Sequence, residues 1–256
     1  MDPQTDGKRL QIQANEDHDP NLNASYLWGK IVRPYTCSDL TKIDDKLIAL
    51  SGVAKMVKQM LEDRYLAGLW EGILPSQLLW QVFDSQQYDG RPSIRPPHYR
   101  APSWIWASLD GFVDWPCITR TGSMITIIIE THVTPVTRDA TGQEKDGFIR
   151  LRGHLCPAEL YLNETKFPIE LGLRVEPHQF FEEKTIIYPD ISSNDISGIF
   201  YCLPIQQNNG VIESSGLKYS WVYGLILQSV AGTSILMCNS PVLDLTFRER
   251  PSGRVR

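Results

Sequence analysis

The spacing of apolar residues changes from a helical period to a strand period along the chain, and this change constrains the fold most. A helix beginning near Asp45 is predicted because apolar residues there recur at steps of three and four, on one side of a helix. These residues are Leu47, Leu50, Ala54, Val57 and Leu61. In the segments 149–155, 169–175 and 219–227, apolar and polar residues alternate instead, as in strands with one buried face. The chain is therefore predicted to have a mixed α+β fold.

Size and charge exclude several classes of protein. The chain has 256 residues, enough to bury a core without a metal or disulfides. Its net charge of −5 provides no positive field for a phosphate backbone, so nucleic acid is not a predicted partner. The longest apolar stretches, around 125–129 and 222–227, are far shorter than the ~20 residues of a membrane-spanning helix. No association with a membrane is predicted.

The N-terminus and the cysteines indicate the compartment. Residues 1–7 lack the basic and apolar regions of a secretory signal, which predicts a cytoplasmic or nuclear protein, and we assign it to the cytoplasm. The cysteines are widely spaced and odd in number, which fits free thiols in a reducing compartment better than a disulfide framework. They are Cys37, Cys117, Cys156, Cys202 and Cys238.

Composition divides the chain into five predicted regions. These are a disordered leader (1–20), a helical region (21–84), an irregular connector rich in proline and tryptophan (85–111), a β-rich region (112–247) and a basic tail (248–256). Short spacings between the predicted strands favour antiparallel hairpins. We expect an N-terminal helical layer packed on a C-terminal antiparallel β-rich sandwich or barrel.

Local signals predict where individual elements begin and end. Thr41 is placed to cap the helix that starts near Asp45. Gly52 lies inside this helix, so we expect another backbone to pack closely against it. A second helix is predicted over 65–74, ending before Pro75, and Ser76 is predicted to cap a short third helix.

Two dipeptides predict turns in the β-rich region. Asp146–Gly147 and Asn209–Gly210 are residues that tolerate positive φ. Such pairs are typical of two-residue loops in β-hairpins. We therefore expect a turn at each position.

Three successive segments carry a family resemblance. The first combines Trp28–Thr36 (WGKIVRPYT) with Asp45–Ala54 (DKLIALSGVA), the second is Tyr65–Trp80 (YLAGLW to LLW), and the third is Tyr99–Ser108 (YRAPSWIWAS). In order and spacing they resemble the region that follows the signature domain in fungal heterokaryon-incompatibility (HET domain) proteins. The similarity covers about residues 28–111.

This resemblance implies a fungal source and a role in self/non-self recognition or regulated cell death. Some parts of the pattern differ. Ile105 stands where the family usually has serine, residues 1–27 contain no counterpart of the signature HET domain, and the sequence after Gly232 departs from the family. The chain is therefore predicted to be a truncated or rearranged member of the family.

The third segment supplies the candidate interaction site. Trp104 and Trp106 lie two residues apart and would face the same side of an extended segment, with Arg100 placed to stack on an indole and Tyr99 beside them. We call these four residues the interaction seam. Six of the seven tryptophans fall within 28–115, so we favour a structural seam joining the helices to the β-region over a ligand platform.

The sequence contains one candidate for a catalytic pair of side chains. His154 and Cys156 lie two apart on a predicted strand, which would let a thiolate and an imidazole point the same way. A catalytic dyad also requires an orienting group and an oxyanion pocket, which the sequence does not identify. The histidines and cysteines lack metal-binding spacings, and no glycine-rich phosphate loop occurs. We assign no catalytic, cofactor-binding or metal residues.

Together these observations favour a non-catalytic interaction or regulatory module that resembles the C-terminal part of a heterokaryon-incompatibility protein. The predicted partner is a full-length member of that family or another intracellular protein. One alternative is an accessory enzyme or accessory protein of a fungal biosynthetic or defence pathway. Another is a non-functional gene fragment.

Overall fold

The fold is known from a computed structural model. The structure describes residues 20–82, 93–115, 122–163, 170–175, 190, 200–212, 217–228, 235–236 and 242–249. Within these ranges it contains three α-helices and thirteen β-strands, and every strand pair is antiparallel. The predicted mixed α+β class with antiparallel sheets is confirmed.

The elements follow one another along the chain as helices first and strands later. The helices are α1 (Pro20–Thr36), α2 (Lys46–Leu61) and α3 (Leu74–Gln77), and 3₁₀ turns occupy Ile43–Asp45, Glu71–Ile73 and Trp106–Ser108. The strands are β1 (Tyr65–Leu66), β2 (Leu69–Trp70), β3 (Gln81–Val82), β4 (Val113–Asp114), β5 (Ser123–Met124), β6 (Ile127–Pro135), β7 (Glu144–His154), β8 (Cys156–Asn163), β9 (Glu170–Val175), β10 (Phe200–Ile212), β11 (Leu217–Gln228), β12 (Ile235–Leu236) and β13 (Val242–Glu249).

Helix α2 confirms the helix predicted from the apolar spacing, and four of its five predicted core residues are buried. Its predicted details are wrong. Thr41 does not cap it, because a 3₁₀ turn precedes the helix and neither Lys42 nor Asp45 at the two caps makes a side-chain capping bond. A Cβ added at Gly52 would meet no atom within 4 Å, so the expected close backbone contact is also absent.

The prediction of a helix over 65–74 is wrong. Strands β1 and β2 form a tight hairpin there, with Ala67 at φ 51° and Gly68 at φ 111° in its turn. Positive φ at two successive residues is incompatible with a right-handed helix. Long-range contacts to Gly68, described below, override the local helical spacing.

The third predicted helix is also misplaced. Helix α3 begins before Pro75, which occupies its first turn, where proline's missing amide hydrogen is no loss. Ser76 therefore lies inside α3 and does not cap a later helix. Leu78 and Leu79 form a turn after α3, and Gln81–Val82 form β3, which pairs with β4.

The later strands form two larger sheets. One has the order β11-β10-β8-β9, with β5 pairing to β10, and the other has the order β12-β13-β7-β6. Both predicted turns are wrong, since Asp146–Gly147 lies within β7 and Asn209–Gly210 within β10. Gly147 has a packing role instead, because a Cβ there would lie 2.7 Å from Cγ of Pro102.

The ends of the chain and parts of the connector lie outside the described residues. These include residues 1–19 of the predicted leader, residues 85–92 of the connector and residues 250–256 of the basic tail. Strand β13 continues to Glu249, so it includes the first two residues of the predicted tail. The described part of the connector, 93–111, contains one isolated bridge and one 3₁₀ turn.

One apolar core draws on both the helical segment and the sheets. Trp28 of α1 and Leu50 of α2 belong to the same buried cluster as Ile149 of β7 and Leu203 of β10. Trp106 from the connector is fully buried in this cluster. Among the described helices, none combines the length and apolar character needed to span a membrane.

Candidate functional site: the tryptophan seam

Trp28, Trp80, Trp106 and Trp115 donate indole hydrogen bonds to backbone carbonyls, and we call these four residues the tryptophan seam. Two of them meet at the β1–β2 turn. The indole N–H groups of Trp28 and Trp106 both donate hydrogen bonds to the carbonyl of Gly68, at 2.7 and 2.9 Å. A Cβ at Gly68 would lie 2.8 Å from Nε1 of Trp106, so only glycine allows this approach. Two buried indole donors are thereby satisfied by one carbonyl with two lone pairs.

Two further indoles extend this arrangement. Trp80 donates from Nε1 to the carbonyl of Trp104 at 3.0 Å, and Trp115 donates from Nε1 to the carbonyl of Gln77 at 3.0 Å. Trp28 also packs edge-to-face on Trp70, with ring centroids 5.4 Å apart. Aromatic pairs of this geometry stabilise a core by ~0.5–1.5 kcal/mol beyond their buried area.

The four residues of the interaction seam do not share one exposed face. Trp104 lies in a turn closed by a hydrogen bond from the amide of Ile105 to the carbonyl of Pro102. Trp106 is fully buried and begins a 3₁₀ turn, so the extended segment expected through the two tryptophans is not formed. Trp104 and Tyr99 are partly buried, and Arg100 is 6% exposed. The residues of the interaction seam are therefore buried or partly buried and do not form an exposed binding surface.

Arg100 forms an ion pair instead of the expected stack on an indole. Its Nη2 donates to Oδ1 of Asp110 at 2.8 Å, and its Nη1 donates to the carbonyl of Ile43 at 3.0 Å. Its Nε donates to the carbonyl of Ala107 at 2.7 Å. The planar guanidinium suits this fork of acceptors, so Arg100 ties the connector to the turn that precedes α2.

Lys46 is the cation that lies over the Trp106 ring, with Nζ 5.7 Å from the centroid. The same Nζ donates to the carbonyl of Leu109 at 2.6 Å and to Oδ1 of Asp110 at 3.4 Å. Burial, and then the nearby Arg100 charge, lower the pKa of Lys46 to about 8, while Asp110 acts in the opposite direction. Two buried cations therefore share one carboxylate.

Glu144 is a buried acid that the sequence analysis missed. It is 3% exposed, neither carboxylate oxygen has a hydrogen-bond partner, and burial raises its pKa to about 8. The hydroxyl of Tyr65 is likewise buried without a partner. Burial first, and then Glu144, hold the pKa of Tyr65 well above its usual range.

A bulge explains why the strand pattern does not reveal Glu144. The pairing of β6 with β7 shifts register between Thr134, which faces Asp146, and Pro135, which faces Glu144. One extra residue on β7 reverses the alternation. Glu144 therefore lies on the buried face of β7. In a regular strand, a residue five positions before the buried Ile149 would lie on the opposite face.

The turn between β6 and β7, residues 136–143, is attached to the helical segment through exposed groups. Nζ of Lys55 lies 2.6 Å from Oδ2 of Asp139, and Nε2 of Gln143 donates to the carbonyl of Asp44 at 3.1 Å. Hydrogen bonds from Lys55 and Thr141 lower the pKa of Asp139 to about 2.

The proposed pair of His154 and Cys156 does not share a strand. His154 ends β7 and Cys156 begins β8, and these strands belong to different sheets. Burial raises the pKa of the Cys156 thiol, the opposite of the shift that activates a nucleophilic cysteine. In the part of the chain that the structure describes, no group of three His, Cys, Asp or Glu side chains is arranged to hold a metal ion.

The outer side of α2 carries exposed apolar side chains. Met56 and Met60 are 66% and 63% exposed, and Val53 and Ile48 are also exposed. Val53, Met56 and Met60 follow one another at helical spacing, so they form a stripe that we call the α2 face. Exposed apolar residues grouped on one helix are typical of surfaces that bind another protein.

Comparison of this chain with protein-family models, with curated proteins and with solved structures finds no match.

Proposed function

We propose that this chain is a non-catalytic interaction or regulatory module that resembles the C-terminal part of a fungal heterokaryon-incompatibility protein. In this proposal it acts in the cytoplasm in self/non-self recognition or regulated cell death. The helical segment forms a layer on an antiparallel β-sandwich, and the tryptophan seam joins the two.

One observation carries the proposal: the residues of the family-like motifs are used to build an interior. Trp28 from the first motif and Trp106 from the third both bond to Gly68 from the second. A shared network of this kind supports a scaffold role for the motifs, because each of them supplies a partner that the others need. Binding is then assigned to a surface outside the seam.

The α2 face is the surface that we assign to the partner. It lies between acidic residues at both ends of the helix, Asp45 before α2 and Glu62 after it. A helix of this length spans roughly 24 Å. A complementary partner is an amphipathic helix with an apolar stripe and basic residues at both ends, presented by a full-length protein of the same family.

The test is a binding measurement between the purified chain and a full-length heterokaryon-incompatibility protein encoded by the same genome. Met56→Asp places a charge in the α2 face and is expected to weaken binding by at least about tenfold. Met124→Asp is the matched control, because Met124 is exposed on β5, and it is expected to leave binding unchanged.

Two results would contradict the proposal. If the wild-type chain binds no full-length family protein, the proposed partner is wrong. If Met56→Asp and Met124→Asp bind equally well, the partner does not use the α2 face. Circular dichroism of both variants checks that each remains folded.

A further inference from the structure

Two cysteines lie directly opposite each other on neighbouring strands. Cys202 of β10 is the register partner of Cys156 of β8 in an antiparallel pair, and both are free thiols. Directly opposite residues of antiparallel strands project their side chains on the same side of the sheet. The two sulfur atoms therefore share one face of the five-stranded sheet.

The spacing of opposite residues nearly satisfies the geometry of a disulfide. Opposite Cα atoms in antiparallel pairs are about 4.5–5.5 Å apart, within the ~4.4–6.8 Å range that disulfides span. Opposite Cβ atoms are about 4.5–5.5 Å apart, whereas a disulfide brings them to ~3.8 Å. A small strand movement is enough to join them, and the resulting strain makes the bond easy to reduce.

The two thiols differ in access. Cys156 is partly buried, whereas Cys202 is 5% exposed, so an oxidant in solution reaches Cys156 first. Burial raises the pKa of both thiols, and it raises that of Cys202 to about 12 with a smaller contribution from Cys156. Both are protonated at neutral pH, so their oxidation is slow there and accelerates as the pH rises.

We propose that Cys156 and Cys202 form a reversible cross-strand disulfide when the protein meets hydrogen peroxide. The Cys156 thiolate attacks one peroxide oxygen, so an S–O bond forms, the O–O bond breaks, and the departing hydroxide takes up a proton to become water. The Cys202 sulfur then attacks the sulfenic sulfur of Cys156. An S–S bond forms, the S–O bond breaks, and hydroxide leaves as water with the Cys202 proton.

The overall step oxidises two thiols by two electrons and reduces one peroxide molecule to two waters. The new bond fixes β10 against β8 and closes the chain between residues 157 and 201 into a loop that contains β9. In a reducing compartment, such a strained bond is transient and responds to oxidant. This inference does not depend on the proposed partner.

The experiment treats the full chain with hydrogen peroxide, blocks remaining thiols by alkylation, and maps the peptides by mass spectrometry without reduction. A linked pair of peptides containing Cys156 and Cys202, lighter by two hydrogens, is expected, and dithiothreitol should separate it. Its formation should be at least about tenfold faster near pH 8.5 than near pH 7.

Cysteine variants separate this link from general thiol oxidation. Cys37 is exposed, so Cys37→Ser is the control and should leave the link intact. Cys156→Ser and Cys202→Ala should each abolish it, and near-ultraviolet circular dichroism checks their packing. The inference is overturned if Cys156 and Cys202 are alkylated or over-oxidised separately, or if either cysteine is linked to a different one.

Discussion

The Arg100 cluster and Glu144 bury ionisable groups against the same core in opposite ways. Arg100 meets a carboxylate and two carbonyls at hydrogen-bond distance, so acceptors surround its guanidinium inside the protein. Glu144 meets no hydrogen-bond partner at all, and burial pushes it toward its neutral form. The comparison teaches that burial alone does not decide the charge of a group; the partners that the fold supplies decide it.

The largest expected effect is a loss of stability with rising pH that depends on Glu144. Its pKa rises from 4.5 to about 8 on folding, so between these values the folded protein holds a proton that the unfolded chain has released. The associated stability is complete below about pH 4.5 and is lost as the pH rises through about 8. At ~1.4 kcal/mol per pKa unit, the fall from about pH 5 to about pH 8 is ~4 kcal/mol.

Glu144→Gln tests this directly, because glutamine does not titrate. Urea unfolding at about pH 5, 6.5 and 8 should show a falling free energy of unfolding in the wild type and a flatter profile in the variant. Tyr65 and Asp139 remain in both proteins, so the difference reports Glu144. Glu130→Gln, at an exposed ion pair with Arg150, should keep the wild-type profile. Identical profiles for Glu144→Gln and the wild type would show that Glu144 titrates normally.

Removing the charge of Arg100 should cause the second largest loss of stability. Arg100→Met keeps most of the side-chain length but leaves the carbonyls of Ala107 and Ile43 without this donor. Asp110 keeps only Lys46 as a cationic partner. Breaking a buried pair costs ~3–5 kcal/mol, and because Asp110 is about one-third exposed we expect ~3 kcal/mol at neutral pH.

Two further variants separate the contribution of the buried Arg100 contacts from that of an ordinary arginine charge. Arg100→Lys keeps the charge and loses the forked geometry, so it should destabilise less than Arg100→Met. Arg33→Met removes an exposed arginine that pairs with Asp114 at 3.1 Å, and it should cost less than ~1 kcal/mol. If the urea midpoint of Arg100→Met moves no further than that of Arg33→Met, the cluster contributes nothing beyond an ordinary surface pair.

The sequence predicts the elements whose signals are local. The α2 periodicity is carried by residues within one helix, and the mixed α+β class follows from the change of period between the two halves. The concentration of tryptophans within 28–115 is likewise visible in the sequence. In each case neighbouring residues contain the information.

Features that depend on distant contacts were not predictable. The β1–β2 hairpin replaces a helix because indoles from residues 28 and 106 converge on Gly68. Glu144 is buried because a bulge reverses the strand alternation, and the pairing of Cys156 with Cys202 depends on the register of two strands far apart in the chain. Tertiary packing fixes all three, and no local pattern encodes it.

The smallest expected loss of stability comes from substituting Gly68. Its carbonyl is the acceptor for two buried indoles, so this variant tests buried neutral groups where the previous variants test buried charged ones. Gly68→Ala forces a side chain at φ 111° and places its Cβ 2.8 Å from Nε1 of Trp106. The indoles of Trp28 and Trp106 must then move away from their shared acceptor. Positive φ costs ~1–2 kcal/mol, and the displaced indoles bring the expected loss to ~2 kcal/mol.

Gly52→Ala provides the matched control, since a Cβ there meets no atom within 4 Å. Alanine in place of a helical glycine should stabilise α2 by up to ~1 kcal/mol. The two glycine variants therefore shift the urea midpoint in opposite directions, and Gly68→Ala should also change tryptophan fluorescence because two buried indoles lose their acceptor. If the urea midpoints of Gly68→Ala and Gly52→Ala shift in the same direction by similar amounts, the Gly68 carbonyl is not the acceptor that holds Trp28 and Trp106 in place.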